Sequence, residues 1–329
     1  MKMTTNRLLR RLCPLVLLAW CAPVPGDALA QAYPNKPIRI IVTSVPGGSA
    51  GFTGHLAGEG ITEALGQQVV VDFRGGAAGI VGTEIAAKAP PDGYTVLNAS
   101  GTHTINPGLH HKLPFDTEKD FAPITQIEIS PFIFIVHPSV PVKTVKELIA
   151  LAKSRKGDLR HASAGSGSPT RLGTEMFQMR GGFKSVHVPY KGSGAAMIGI
   201  LSGDVDMFFG SMIAALAQVK AGKVRAIAVT SLKRSQLLPD LPTIAESGFP
   251  GFEATGWQGL LVPAGTPRDI ILKLYEVVSR YVKRPDVSER LVKIGVEPVG
   301  NKPEEFAAVI NSEMLKWADV IKQSGARPD

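Results

Sequence analysis

The chain has two cysteines in 329 residues, Cys13 and Cys21, and both fall in its first thirty residues. If that segment is removed, no disulfide, thiolate metal site or cysteine nucleophile remains. Aromatic residues are 6% and charged residues 19% of the chain. The only long apolar stretch is N-terminal and too short to span a bilayer, which argues against an integral membrane protein. No G-x-x-x-x-G-K-[ST] phosphate loop occurs. The Gly-rich stretch after Tyr190 has Met197 where a dinucleotide fingerprint needs its last glycine, so no nucleotide cofactor is expected. The seven histidines form no H-x-x-x-H pair, and no metal site is expected. No long basic run is interleaved with aromatics, which argues against nucleic acid as a partner.

What is present is a globular composition, 44% hydrophobic, with 35 glycines and 25 prolines to break it into many short elements. Lys2, Arg7, Arg10 and Arg11 precede an apolar run from Leu12 to Trp20, and Ala28-Leu29-Ala30 is a small-x-small cleavage signal. In that order they read as a secretory signal peptide over residues 1–30, cut near Ala30. Four basic residues and Asp27 leave with it, which takes the net charge from +8 to about +5. An exported chain without thiols suits the periplasm.

Two periodicities then alternate. Ile38–Thr43, Gln68–Phe73 and Tyr94–Asn98 read as strands, with helical spacing over His55–Leu65 and Ile80–Lys88 between them. The pattern restarts after Pro131. It gives strands at Phe132–Val136, Leu159–Ser163, Ser185–Pro189, Val205–Phe209 and Val224–Thr230, and helices at Thr144–Lys153, Pro169–Met179 and Ala195–Leu201. Thr144 and Glu147 form a capping box. A strand at Trp257–Val262, a helix opened by Thr266 as N-cap with Pro267 in the first turn, and a helix from Pro303 follow. Phe306, Val309, Ile310 and Trp317 form the buried face of the last helix. The expected fold class is α/β, with two doubly wound domains facing across a ligand cleft. Residues 31–130 plus 255–329 form the first domain and 131–254 the second.

Three strand-to-helix loops carry the candidate chemistry. The first holds Gly47, Gly48, Ser49, Ala50, Gly51 and Phe52; the second Ser163, Ala164, Ser166, Gly167, Ser168 and Thr170; the third Tyr190 and Lys191. Glycines let several backbone N–H groups point into one concavity, and a helix N-terminus adds partial positive charge, which suits an anion. Gly47, Ser49 and Gly51 also match G-x-S-x-G, which defines the competing reading of a secreted serine hydrolase with Ser49 as nucleophile. Only 18 residues would precede Ser49 after cleavage, too few for the strands and oxyanion loop of such an enzyme. His103, after the third strand with Ser100 and Thr102, is balanced between ligand contact and a satisfied loop histidine.

The motifs Tyr33-Pro34-Asn35-Lys36-Pro37, Pro46-Gly47-Gly48, Ala64-Leu65-Gly66-Gln67, Pro91-Asp92-Gly93-Tyr94, Asp120-Phe121-Ala122-Pro123, Val188-Pro189-Tyr190-Lys191-Gly192 and Pro242-Thr243-Ile244-Ala245-Glu246 follow one another in register. Over residues 31–329 the chain resembles the Bug-type substrate-binding proteins of tripartite tricarboxylate transporters. The resemblance implies a periplasmic, non-catalytic receptor, acting as a monomer without cofactor. It would close on a small carboxylate, a di- or tricarboxylate or an aromatic acid, and present it to an inner-membrane permease. It assigns ligand contact to the three loops, to Ser100, Thr102 and His103, and to Ser211. Gly51 and Gly210 stand where many relatives carry Asp. Losing two cleft acids would remove a partner for an ammonium group, which favours a dicarboxylate with an aromatic or longer spacer over an amino acid.

Overall fold

Strand β1 (Ile38–Val42) is the first regular element of a computed structural model that describes residues 33–46 and 49–328. The expected signal peptide, its cleavage point, and Gly47 and Gly48 lie outside the described residues. Helix α1 (Ser49–Leu65), β2 (Val69–Phe73), α2 (Ile80–Ala87), β3 (Thr95–Ser100) and α3 (Thr102–Leu109) follow. Next come β4 (Phe121–Val136), α4 (Val145–Ser154), β5 (Arg160–Ser163), α5 (Pro169–Gly181), β6 (Val186–Pro189), α6 (Ser193–Ser202), β7 (Met207–Ser211), α7 (Met212–Lys220) and β8 (Arg225–Val229). The chain ends with β9 (Thr255–Pro263), α8 (Arg268–Val282), α9 (Pro285–Lys293), β10 (Glu297–Pro298) and α10 (Pro303–Ser324).

The strands join in one curled mixed sheet of order β2-β1-β3-β9-β4-β7-β5-β6, with β8 and β10 also on β4. β1 is parallel to β2 and β3, and β5 is parallel to β6 and β7. β4 is the long strand that links the two parallel sets. Its first part, to Pro131, pairs antiparallel with β9, and its last part, Phe132–Val136, pairs with β7 and β8. The short strand expected at Phe132 is therefore the end of a longer one. Pro131 does not interrupt it, because the partner changes there and one missing N–H donor costs little.

Alternation of side chains builds the layers. Ile38, Ile40 and Val42 enter one core with α1 and α8, while Ile41 faces the opposite core with Phe306 and Ile310. In the second parallel set, Phe132, Phe134 and Phe209 enter one core, and Ile133, Ile135 and Phe208 enter the other. Ile105 and Leu109 of α3, and Trp317, Val320 and Ile321 of α10, join the Phe134 core. The apolar stripe of α10 is thus divided between two cores, Phe306 and Ile310 in one and Trp317 in the other.

Local signals hold with specific exceptions. The Thr144 hydroxyl accepts the Glu147 N–H at 3.1 Å, so Thr144 is the N-cap, but the reciprocal Glu147 carboxylate accepts from the Lys143 N–H at 2.6 Å, one residue before the N-cap amide a full capping box uses. Thr266 is not the cap expected of it. α8 starts one residue later, behind Pro267, and the Thr266 hydroxyl donates instead to the Pro263 carbonyl at 2.7 Å. α1 begins at Ser49, so part of the expected Gly-rich loop is the helix's first turn. The region of Thr102 and His103, expected as loop, is helix α3.

Candidate functional site

At the carboxyl ends of β1 and β3 a polar layer replaces the apolar one below it. The registers put Ser100 opposite Gln258 and Gln258 opposite Glu128, three polar side chains on adjacent strands. Asn98, one step deeper, donates to the Ala50 carbonyl at 2.7 Å and to the Thr53 hydroxyl at 3.1 Å, which fixes the first turn of α1 over the sheet. The Ser49 hydroxyl then donates to Glu128 Oε1 at 3.2 Å, and the Ser130 hydroxyl donates to the same oxygen at 2.9 Å. Gln258 Nε2 donates to Ser49 Oγ at 3.4 Å.

Glu128 is fully buried, and burial raises its carboxyl to about 7, against the smaller opposing pull of the Ser130 and Ser49 hydroxyls. Among the described residues its second oxygen, Oε2, has no hydrogen-bond partner, and neither has Gln258 Oε1. The sequence reading missed all four of Asn98, Glu128, Ser130 and Gln258. Polar residues within a run of strand-forming residues were visible at Glu128 and Ser130, but the register shift between Gln126 and Glu128 leaves no regular alternation to read.

The opposing wall is the loop after β5. Thr170 Oγ1 accepts the Ala164 N–H at 2.9 Å, the Ser168 hydroxyl donates to the Gly165 carbonyl at 2.6 Å, and Ser163 Oγ lies 2.7 Å from His187 Nε2. These hydroxyls hold the loop's shape. Ser168 is also the N-cap of α5, accepting from the Arg171 N–H. The third loop is tied to the second by Tyr190 N–H to Ser163 O and Gly192 N–H to Ala164 O.

The two walls meet. A side chain at Gly167 would touch Ala78, Asn106 and Leu109 within 3.3–3.6 Å, and one at Gly101 would lie 3.0 Å from the Pro169 ring and 3.5 Å from the Trp257 indole nitrogen. The N-termini of α3 and α5 thus meet at this seam, which favours negative charge. Asn106 Oδ1, Ser166 Oγ and Trp257 Nε1 are buried here without partners, like Glu128 Oε2 and Gln258 Oε1. Buried polar atoms are normally satisfied, so such a concentration marks a place built for further polar contacts.

Not every expected residue belongs to it. His103 is buried against Phe115 and Phe121, ring centroids 6.4 and 5.2 Å away, and burial lowers its pKa to about 4. It is a neutral core histidine, directed into the aromatic cluster. The Tyr190 ring lies on Gly199 of α6, where a β-carbon would be 2.2 Å from its hydroxyl, so its side chain turns away from the loop. Phe52 packs on the β1 core with Arg290 5.9 Å from its ring centroid. Lys191 is exposed, and Ser211 caps the chain position before α7 without a side-chain hydrogen bond. Ser100 and Thr102 are half-buried beside the seam. Gly51 faces the Phe73 ring and Gly210 faces Ala215, Ile135 and Phe208, so both glycines answer to packing and neither supports the argument from lost cleft acids.

Among the described residues the Ser49 hydroxyl is hydrogen-bonded to a carboxylate and an amide and not to a histidine, so it lacks a nucleophile's base. Among the described residues no group of three His, Cys, Asp or Glu is placed to hold a metal ion, and no helix is long and apolar enough to cross a membrane. Two surface grooves, about 680 and 590 Å³, lie elsewhere, beside His110 and Met314 and beside His55 and Glu63.

Two parallel strand sets, linked by long strands and opposed through Gly-rich helix N-termini, define a solute-binding receptor and not a hydrolase. Residues 55–326 match the family described as tripartite tricarboxylate transporter family receptor. Protein BugT of Bordetella pertussis is 34% identical over 308 residues, covering 93% of this chain and 94% of BugT. A structure from R. palustris solved with adipate shares 32% identity at a TM-score of 0.83, covering 90% of this chain and all of the other. MatC from Rhodopseudomonas palustris with bound malate shares 29% at a TM-score of 0.79, covering 88% of this chain and all of MatC. The chain belongs to the tripartite tricarboxylate transporter receptor family, whose members are periplasmic, non-catalytic solute-binding proteins.

Proposed function

We propose that this receptor captures a small organic acid at the seam between the α1–β4–β9 polar layer and the β5–α5 loop, and delivers it to an inner-membrane permease of the tripartite type. The unpartnered buried polar atoms beside the α1 N-terminus and at the meeting of the α3 and α5 N-termini carry this reading. The backbone of Gly47–Gly51, Ser49, Ser100, Thr102, and the loop from Ser163 to Thr170 supply the contacts; Ser211 borders them. Residues 31–130 with 255–329, and residues 131–254, act as two domains hinged where β4 and β9 run between them, and hinge closure traps the ligand. The mature chain starts near Gln31 and works as a monomer.

Relatives of similar fold were solved with adipate and with malate, which supports a di- or hydroxydicarboxylate as ligand class. The test is a thermal-shift screen of purified residues 31–329 against aliphatic di- and tricarboxylates, aromatic acids and acidic amino acids, after denaturing mass spectrometry excludes a co-purified ligand. Acid at about a hundred times its Kd stabilises by about 2.7 kcal/mol, a shift of several degrees. A flat response across all acids overturns the reading.

A further inference from the structure

Every donor resolved in the Glu128 cluster points inward. Gln258 Nε2 donates to Ser49, and the Ser49 and Ser130 hydroxyls both donate to Glu128 Oε1. What remains are two buried acceptors with nothing to accept from, Glu128 Oε2 and Gln258 Oε1, contributed by residues opposite one another in the β4–β9 register. Among the described residues no ion pair offsets the carboxylate; its hydrogen-bond partners are hydroxyls. A buried acid without a positive partner, beside a second idle acceptor, is costly unless a donor arrives. The N-terminus of α1, whose first residue is Ser49, lies beside it and has the opposite character. One end of the site suits a carboxylate and the other suits a donor.

We propose that Glu128 and Gln258 form a subsite for a hydrogen-bond donor on the ligand, so that the receptor prefers hydroxy- or amino-substituted carboxylic acids to their unsubstituted counterparts. This rests on the acid-binding reading above and narrows it. It also reverses the expectation from Gly51 and Gly210, because the fold supplies from β4 an acid that the loops lack. A site built to satisfy buried acceptors rejects an analogue without the donor more strongly than a hydrophobic pocket rejects a missing methylene.

The experiment is calorimetric titration of the mature receptor at pH 8, where Glu128 is ionised and acceptor-only, with matched series: succinate, malate and aspartate; glutarate, 2-hydroxyglutarate and glutamate; adipate, 2-hydroxyadipate and 2-aminoadipate. In at least one series the substituted acid should bind tenfold or more tighter than the plain one; whether hydroxyl or ammonium leads identifies the donor. Glu128→Gln is the informative variant. With Oε1 held by two hydroxyls, the glutamine carbonyl takes that place and its NH2 replaces Oε2, presenting a donor to a donor. The substituted-to-plain ratio, taken within the same variant, should fall to about one. Gln258→Leu should lower the ratio as well, and thermal melts of both variants check folding. A plain acid that binds as tightly as its substituted partners, or a ratio that survives Glu128→Gln in a folded variant, overturns the subsite alone. Binding by no acid in any series overturns it together with the acid-receptor reading.

Discussion

The Ser49 hydroxyl, in the first turn of α1, donates to Oε1 of Glu128 in the middle of β4, 79 residues further along the chain. This bond links the helix that opens the first Gly-rich loop to the strand that passes between the two parallel sets. Ser49 is held by a buried acid and an amide, so its role is placement and contact.

Replacing Ser49 by alanine removes one donor to Glu128 and one acceptor for Gln258. Acid binding should weaken by about 0.5–1.5 kcal/mol, the net value of one neutral hydrogen bond. Titration of the Ser49→Ala variant with the best acid measures it. A complete loss of binding in a folded variant would contradict a supporting role.

Glu128 makes stability depend on pH with an unusual sign. Its carboxyl ionises near 4.5 when unfolded and near 7 when folded. Between these values the native chain keeps a proton that the unfolded chain has lost. The contribution is fully present below pH 4.5 and disappears as pH rises through 7, a loss of about 3 kcal/mol. Urea unfolding at pH 5 and pH 8 should show this fall in the wild type and a smaller one in Glu128→Gln. Equal differences in the two proteins would refute it.

His103 acts in the opposite direction. Its pKa drops from 6.5 to about 4 on burial. The native state therefore favours neutral His103, with stability fully present above pH 6.5 and lost as pH falls through 4. His103→Phe keeps an aromatic ring beside Phe115 and Phe121 and should flatten the acid limb of the stability curve. An unchanged limb would mean that the imidazole is solvated.

Gly199 is needed because the Tyr190 ring rests on it. A β-carbon there would sit 2.2 Å from the tyrosine hydroxyl and 2.4 Å from Cζ. Gly199→Ala should destabilise by about 1–3 kcal/mol through overpacking, read by urea unfolding. If stability is unaffected, Tyr190 occupies another position, and its contribution to the ligand loops returns to consideration.

Gly167 lies where the β5–α5 loop meets Ala78, Asn106 and Leu109. Gly167→Trp should wedge that seam, enlarging the radius of gyration in small-angle scattering and weakening acid binding at least tenfold while melting remains cooperative. Unchanged scattering and affinity would mean that closure does not pass through this contact.

The sequence by itself determined most of the element order, though not α7, α9, β10 or the first part of β4, because each α/β repeat writes its own period and its own breakers: Ile38–Val42, Thr144 with Glu147, and Ser168-Pro169 are local signals. It also determined the family, through motifs spread over the mature chain, and the backbone-rich loops where an acid would be held. Helix α3 was hidden because Pro107 and Gly108 within it lower the helical signal. The tertiary structure alone decided that Glu128 is a site residue. Two irregularities in the β4–β9 register break the alternation, so Ile124 and Ile127, three apart, share one core and Glu128 comes to lie opposite Gln258. A bulge depends on the partner strand, and β9 lies more than a hundred residues downstream, so no period within β4 could announce it. The same holds for His103, Tyr190 and Trp317. Which of the available surfaces each ring covers is set by packing between distant elements, and sequence spacing carries no record of that choice.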